Sequence, residues 1–234
     1  YSEFNLFSIL FRLYNTVRPL RWQQVIFRFV YRFKKPKVVK VEYTQSPCHW
    51  SWAGPLIFKQ SMFDENSVEF LSVKGSVNSF VCWNDPVKEK LWLYNLHYFD
   101  DLNSKDFVVR ESIHFKFIDN WIKQNVACHG NGWEPYPLSL RLVNWVKWFS
   151  KQDIVEQKYL TSILLQASAL SQQLEYHILG NHLFANGKAL TFIGCYLQGK
   201  EAERYLDMGL NLLDRQVPEQ FLSDGAHFEL SPMY

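Results

Sequence analysis

The sequence predicts a mainly α-helical fold: an incomplete α/α toroid of stacked antiparallel helical hairpins, with a small irregular and β-containing N-terminal portion. Two observations lead to this class. Beyond about residue 107, apolar residues recur every three or four positions, and only short joints separate the resulting helices. Before residue 90, proline and glycine repeatedly interrupt the pattern. We therefore divide the chain into residues 1–90, packed on the toroid, and residues 91–234, the toroid domain.

The N-terminal portion begins with residues 5–34, which are predicted to form one or two basic amphipathic helices interrupted at Pro19. Such helices can lie on a membrane surface. Packing on the main body is favoured here, because Trp and Phe occur on several sides. Residues 35–66 are expected to run as an extended surface connection, and residues 68–73 and 79–83 to pair as a small hairpin.

The toroid domain contains the longest periodic segments. Its helices are predicted over residues 107–125, 138–149, 154–178, 182–197 and 201–217. The final segment, residues 218–234, is rich in turn residues and does not cap a helical array. We therefore expect the sequence to be cut from a longer protein.

Composition excludes several classes. Apolar residues make up 47% and charged residues 21% of the chain, which excludes disorder. The 25 basic and 23 acidic residues leave a net charge of +2, too weak to favour nucleic acid as the main partner. No apolar run reaches the roughly 18 residues of a transmembrane helix, and arginines interrupt every candidate signal peptide. The 9 Trp, 12 Tyr and 19 Phe suit a groove for ring-shaped ligands.

The joint before the predicted helix at 182–197 carries the strongest candidates. Asn181 suits either a helix cap or a ligand contact. His182 suits a ligand contact or a hydrogen bond to a backbone carbonyl. His177 precedes His182 by five positions rather than the four of a zinc-binding H-E-x-x-H helix. We therefore expect no metal and no cofactor.

Other residues are candidates for substrate contact. Trp133 suits stacking on a sugar face or core packing equally, and Arg141 suits a sugar carboxylate, although an exposed helix charge is the simpler interpretation. His97 lies among aromatic residues, where a hydrogen-bonded core histidine is the simpler interpretation. The full set of substrate-binding candidates is Trp133, Glu134, Tyr136, Arg141 and His97.

Four segments together resemble the heparinase II/III-like proteins, which are polysaccharide lyases and relatives often encoded with bacterial surface-polysaccharide genes. The segments are Asn-His-Leu-Phe-Ala-Asn at 181–186, Gly-Asn-Gly-Trp-Glu-Pro-Tyr-Pro with Leu-Arg at 130–141, the stretch 224–234, and Tyr-Asn-Leu-His-Tyr-Phe at 94–99. Each motif is short, but their order and separation are fairly specific.

The resemblance implies a toroid followed by a large antiparallel β-sandwich domain, and cleavage of uronate-containing glycans by β-elimination. Asn181 and His182 match the pair that binds the uronate carboxylate, and Tyr234, 53 positions after Asn181, matches the residue that handles protons. The family also uses a His from the β-sandwich domain, which is missing from this sequence. The chain alone is therefore expected to be inactive or weakly active. A periplasmic or cell-envelope location is favoured by the resemblance.

These residue types suit the chemistry independently. Removal of the C5 proton of a uronic acid leaves enolate-like charge on the carboxylate, and amide or imidazole donors stabilise that charge. A tyrosine with an ordinary pKa near 10 serves as a base only if cations lower that value, and as a phenol it can donate a proton to the leaving oxygen. Both roles stay open for Tyr234.

Two other classes are weighed. A glycoside hydrolase on a similar toroid needs two carboxylates, for which Glu134 with Asp224 or Glu229 are available. A non-catalytic glycan-binding module in surface-polysaccharide assembly would use the aromatic residues alone.

Overall fold

A computed structural model describes residues 6–228 of the protein. The helices within this part are α1 (Leu6–Val17), α2 (Trp22–Phe33), α3 (Phe80–Trp83), α4 (Lys90–Tyr98), α5 (Glu111–Gln124), α6 (Pro135–Phe149), α7 (Gln157–Ser171), α8 (Gly180–Tyr196) and α9 (Lys200–Gln220). Strands β1 (Ser67–Phe70) and β2 (Val73–Ser76) pair in an antiparallel hairpin. The structure thus confirms a mainly helical fold with a small β-containing portion. None of the described helices has the length and apolar character needed to cross a membrane.

Helix α6 forms the centre of the core. Its apolar residues occur on every side, and a helix of that kind must be covered all round. Leu142, Trp145 and Trp148 are completely buried, and α4, α7 and α8 all pack against this helix. Pro135 occupies the first helical turn, where its missing N–H costs nothing, so the start of α6 is fixed by the sequence.

Helices α8 and α9 form a closely packed hairpin, with only residues 197–199 between them. Their backbones approach through glycines. A Cβ added to Gly194 would lie 2.5 Å from the Cβ of Leu206, and one added to Gly209 would lie 2.6 Å from the backbone N of Thr191. The hairpin therefore depends on the absence of side chains at these two positions.

The predicted surface connection is held on the helical part by hydrogen bonds. The Tyr43 N–H donates to Thr161 Oγ1 at 3.0 Å, the Cys48 N–H to the Tyr196 carbonyl at 2.7 Å, and Trp50 Nε1 to the Cys195 carbonyl at 3.1 Å. The boundary between residues 90 and 91 stays a prediction.

Two predicted elements are wrong. Residues 79–83 were expected as a strand, but they form the short helix α3, and β2 supplies the second strand of the hairpin. The β-type composition was outweighed by packing, because Trp83 is completely buried, with its Nε1 donating to Asn120 Oδ1 at 3.0 Å. The helix expected over 154–178 is shorter, since α7 covers only Gln157–Ser171.

Beyond α7 the chain turns at Gln172 and Gln173, whose N–H groups donate to the carbonyls of Ala169 and Leu170, three residues back. The N–H of Glu175 donates to the side-chain oxygen of Asn186 at 2.7 Å, so it does not continue the helical hydrogen-bond ladder. The irregular segment 172–179 (the α7–α8 corner) therefore folds against α8. This corner positions the candidate site.

We predict that Gly194→Ala lowers the free energy of unfolding by about 1–3 kcal/mol, because the added methyl group overpacks the α8–α9 contact. Chemical denaturation measures the change. Leu210→Ala on the exposed side of α9 is the control and should cost less than about 1 kcal/mol. Equal losses in both variants would contradict the proposed close contact.

Candidate active site

Asn181 and His182 lie in the first turn of α8. The helix begins at Gly180, and its cap is Leu179, whose φ is +68°. Of the two alternatives for Asn181, the helix cap is therefore wrong. Within residues 6–228 no hydrogen bond engages the Asn181 side chain, although this residue lines a cleft. Its amide is available to a ligand.

The Glu175 carboxylate fixes the orientation of the His182 ring. Glu175 is 4% exposed, and its Oε1 accepts a hydrogen bond from His182 Nδ1 at 2.9 Å. Its Oε2 accepts from Asn186 Nδ2 at 3.1 Å, and Asn186 Nδ2 also donates to Ser139 Oγ at 3.0 Å. Because a carboxylate only accepts, the proton of the His182 ring lies on Nδ1, which leaves Nε2 for other partners.

Asn181 and His182 line a cleft of about 670 Å³ at the α7–α8 corner. Tyr136, in the first turn of α6, places its ring 4.3 Å from that of His182, centroid to centroid. Tyr98 meets Tyr136 edge-on at 6.1 Å. At the rim, Arg21 pairs with Glu219 at 2.6 Å. The cleft thus combines aromatic faces with hydrogen-bonding groups, as small-molecule sites do.

Burial acts on the phenols of this region. It raises the pKa of Tyr98 well above the ordinary value of 10.0, and the neighbouring Tyr136, Asp100 and Glu175 add to that effect. A phenol with a raised pKa stays protonated at neutral pH. Tyr98 therefore offers the cleft a hydrogen-bond donor rather than a base.

The segment that would carry Tyr234 and Glu229 lies outside the described residues. Phe228, six positions before Tyr234, lines the cleft. Asp224, the other acidic candidate of that stretch, uses its Oδ1 to accept the N–H of Ala226 at 2.9 Å in an exposed turn.

Glu134 lies beside the cleft but is engaged by protein groups. Its Oε2 accepts a hydrogen bond from the Tyr94 hydroxyl and pairs with Lys90 Nζ at 2.9 Å. Tyr136, two positions later, does line the cleft.

Arg141 lies inside the core, with no exposed surface, and does not line the cleft. Its guanidinium donates to Gln166 Oε1 at 2.9 Å and to the Gly132 carbonyl at 2.7 Å, and lies 3.9 Å from the centre of the Trp121 ring. The side chain therefore links α6 to α7 and to the 130–134 loop. Both interpretations of Arg141 from the sequence, an exposed helix charge and a contact with a sugar carboxylate, are therefore wrong.

His97 is a completely buried histidine with both ring nitrogens occupied. Nδ1 accepts from Trp121 Nε1 at 3.0 Å, so Nε2 carries the proton and donates to the Trp83 carbonyl at 3.0 Å. Burial lowers its pKa from 6.5 to about 3, and the nearby Arg141 adds to that shift. A Cβ at Gly132 would lie 2.5 Å from Nδ1, so the 130–134 loop requires glycine there.

Trp133 is also a core residue, 4% exposed, with its ring 5.6 Å from that of Trp121. Of the seven lyase candidates within the described residues, the structure thus brings Asn181, His182 and Tyr136 together in the cleft, and the others lie in the core or beside the cleft.

Glu175 and Asn186 were not singled out from the sequence. An acidic residue seven positions before His182, inside an apolar helical segment, was the available signal for Glu175. Among residues 6–228, no group of three or more His, Cys, Asp or Glu side chains is placed to hold a metal ion.

Comparison with known proteins agrees with this architecture. Residues 100–234 match the family model described as Heparinase II/III N-terminus, so the chain belongs to that family. A heparin-sulfate lyase of Bacteroides stercoris is 27% identical over 122 residues, which are 50% of this chain and 18% of that protein. A heparin-sulfate lyase of Bacteroides thetaiotaomicron is 26% identical over 126 residues, again 18% of its length. The matched region is therefore less than a fifth of each relative. No solved structure matches the chain.

We predict that His97 makes the stability of the protein pH-dependent. In the unfolded chain His97 binds a proton near its ordinary pKa of 6.5, whereas in the folded protein its pKa is about 3. Its contribution is therefore fully present above pH 6.5 and is lost progressively as the pH falls toward 3. The free energy of unfolding, measured by denaturation from pH 7.5 to 5, should decline with acidity.

His97→Gln tests the assignment, because an amide supplies one acceptor and one donor without titrating in this range. The variant should show a flatter decline than the wild type. His129→Gln, at an exposed position, should retain the wild-type slope. An unchanged slope in His97→Gln would overturn the prediction.

Proposed function

We propose that this chain forms the substrate-binding part of a polysaccharide lyase that cleaves uronic-acid-containing glycans by β-elimination. The observation that carries the proposal is the pair of adjacent side chains on the first turn of α8: an Asn181 amide with no hydrogen bond among the described residues, and a His182 ring held through Nδ1. Membership in the Heparinase II/III N-terminus family and the named activity of the two relatives support it.

The position of this pair suits a carboxylate. The first turn of a helix has backbone N–H groups without intrahelical acceptors, and the helix dipole favours negative charge there. Asn181 Nδ2 and, when the ring carries a second proton, His182 Nε2 are further donors at the same point. We infer that the uronate carboxylate binds here.

β-Elimination places new charge on the bound group. A base removes the C5 proton, the electron pair moves toward the carboxylate as enolate-like charge, and the C4–oxygen bond then breaks as the leaving oxygen takes a proton. Donors already oriented toward the carboxylate stabilise this charge more than they stabilise the resting substrate, which lowers the barrier. Glu175 serves as a positioning residue, because it fixes the His182 ring in one orientation.

The proton transfers require groups on the sugar face. On the family resemblance we propose Tyr234 for this role, either as the base that removes the C5 proton or as the acid that protonates the leaving oxygen. Tyr136 packs against the His182 ring and Tyr98 against Tyr136, so these two phenols form the wall that would face the sugar.

The hydrolase alternative has less support. Glu134 is engaged by Tyr94 and Lys90, and Asp224 by the backbone of its own turn, so this pair does not present two free carboxylates to the cleft.

We predict that Asn181→Ala lowers kcat at least about 100-fold, because an oriented donor to the developing charge is lost. His182→Ala should lower kcat by a similar factor, for the same reason. The assay follows the ultraviolet absorbance of unsaturated uronate, with the full gene product containing this chain and a panel of acidic glycans. Asn211→Ala, an exposed asparagine on α9, is the matched control and should retain activity.

Three results would contradict the proposal. They are products with a saturated sugar end, which indicate hydrolysis; glycan binding without any turnover, which indicates a binding module; and full activity in Asn181→Ala.

A further inference from the structure

A second cavity, of about 470 Å³, is lined by the 130–134 loop and lies next to the cleft along the chain. A ridge formed by two backbone segments separates this cavity from the cleft. Pro135 and His177 line this cavity, whereas the next residue in each segment, Tyr136 and Ile178, lines the cleft. A ligand that crosses this ridge would therefore contact both.

Two residues of the cavity wall carry hydrogen-bond donors that are buried and have no acceptor among the described residues. Trp133 lies in its wall, and the indole Nε1–H of this buried residue has no acceptor among the described residues. Asn84 lies there too. Its Oδ1 accepts the N–H of Asn131 at 2.8 Å, which fixes the amide, and its Nδ2 is likewise buried without an acceptor. Buried donors without acceptors are unfavourable, so these two groups favour a ligand that supplies oxygen acceptors.

The charge in this cavity is positive. Lys34 and Lys35 line it, and neither forms an ion pair with another described residue. They belong to residues 4–41, a stretch that contains nine Lys and Arg residues and no Asp or Glu. The one carboxylate in the lining, that of Glu134, is neutralised by Lys90 and accepts the Tyr94 hydroxyl. Two free ammonium groups together with neutral N–H donors define a site for an anionic oxygen group.

We propose that this cavity is a second anion subsite, which holds a carboxylate or sulfate group of the same glycan chain, some sugar units away from the uronate at Asn181. This proposal rests on the proposed function for its ligand. It assigns Lys34, Lys35, Trp133 and Asn84 to substrate binding, and it makes affinity depend on the length of the glycan.

The test compares a disaccharide with a hexasaccharide, both built of alternating glucuronate and N-acetylglucosamine, by calorimetry. The double variant Lys34→Gln/Lys35→Gln should bind the hexasaccharide about tenfold more weakly than the wild type, and the disaccharide equally well. The matched control is Lys37→Gln/Lys40→Gln, which removes the same charge from the same stretch at positions that do not line this cavity. It should bind both ligands as the wild type does.

A second readout follows the indole N–H resonance of Trp133, assigned by its disappearance in Trp133→Phe. The hexasaccharide should shift this resonance, and the disaccharide should not. Equal hexasaccharide binding by the two double variants would overturn the proposal, as would a Trp133 resonance that the hexasaccharide leaves unchanged.

Failure of the subsite and failure of the proposed function give different results. If the function is wrong and the subsite right, the hexasaccharide still shifts the Trp133 indole resonance and still binds Lys34→Gln/Lys35→Gln more weakly than Lys37→Gln/Lys40→Gln. In that case Asn181→Ala changes neither binding nor turnover. If the subsite is wrong and the function right, Asn181→Ala abolishes turnover, while both double variants bind the hexasaccharide equally.

Discussion

The candidate site depends on one buried carboxylate. Glu175 accepts hydrogen bonds from His182 and Asn186, and its own N–H donates to Asn186, so a single residue holds the α7–α8 corner against α8 and orients the imidazole. A buried carboxylate is tolerated only when its oxygens are hydrogen-bonded. The need to satisfy Glu175 therefore places the two donors of α8 at the head of a cleft.

A second buried network supports the 130–134 loop. Arg141 holds the Gly132 carbonyl, and the neighbouring His97 joins Trp121 to the backbone at Trp83. This network fixes the 130–134 loop, which lines the second cavity. The Gly-Asn-Gly-Trp motif is thus explained by packing: Gly132 is needed for contact with His97, and Trp133 fills the core.

The spacing of apolar residues in the sequence was sufficient to predict the class of fold and the approximate positions of α5, α6, α8 and α9. This is because the residues that recur every three or four positions are those that a helix buries. It was sufficient also to single out Asn181 and His182, which the structure places together at the cleft. It failed where long-range partners decide the outcome. The α7–α8 corner is held by Asn186, eleven positions beyond Glu175, and the β-type residues before Trp83 became helical because that indole is buried. The burial of Arg141 could not be predicted for the same reason. Its acceptors lie on other segments of the chain, so the residues around it in the sequence do not indicate that it is buried.

The family relationship covers residues 100–234, a range that includes the donor pair, Tyr136 and the 130–134 loop, whereas Tyr98 and Arg21 of the cleft precede it. The central claim is that a uronate carboxylate binds at the first turn of α8. The crystal structure of the chain with an unreactive uronate oligosaccharide tests it most directly. A carboxylate oxygen within about 3 Å of both Asn181 Nδ2 and His182 Nε2 is the predicted result. A sugar bound elsewhere, or one whose carboxylate points to solvent, would contradict the account.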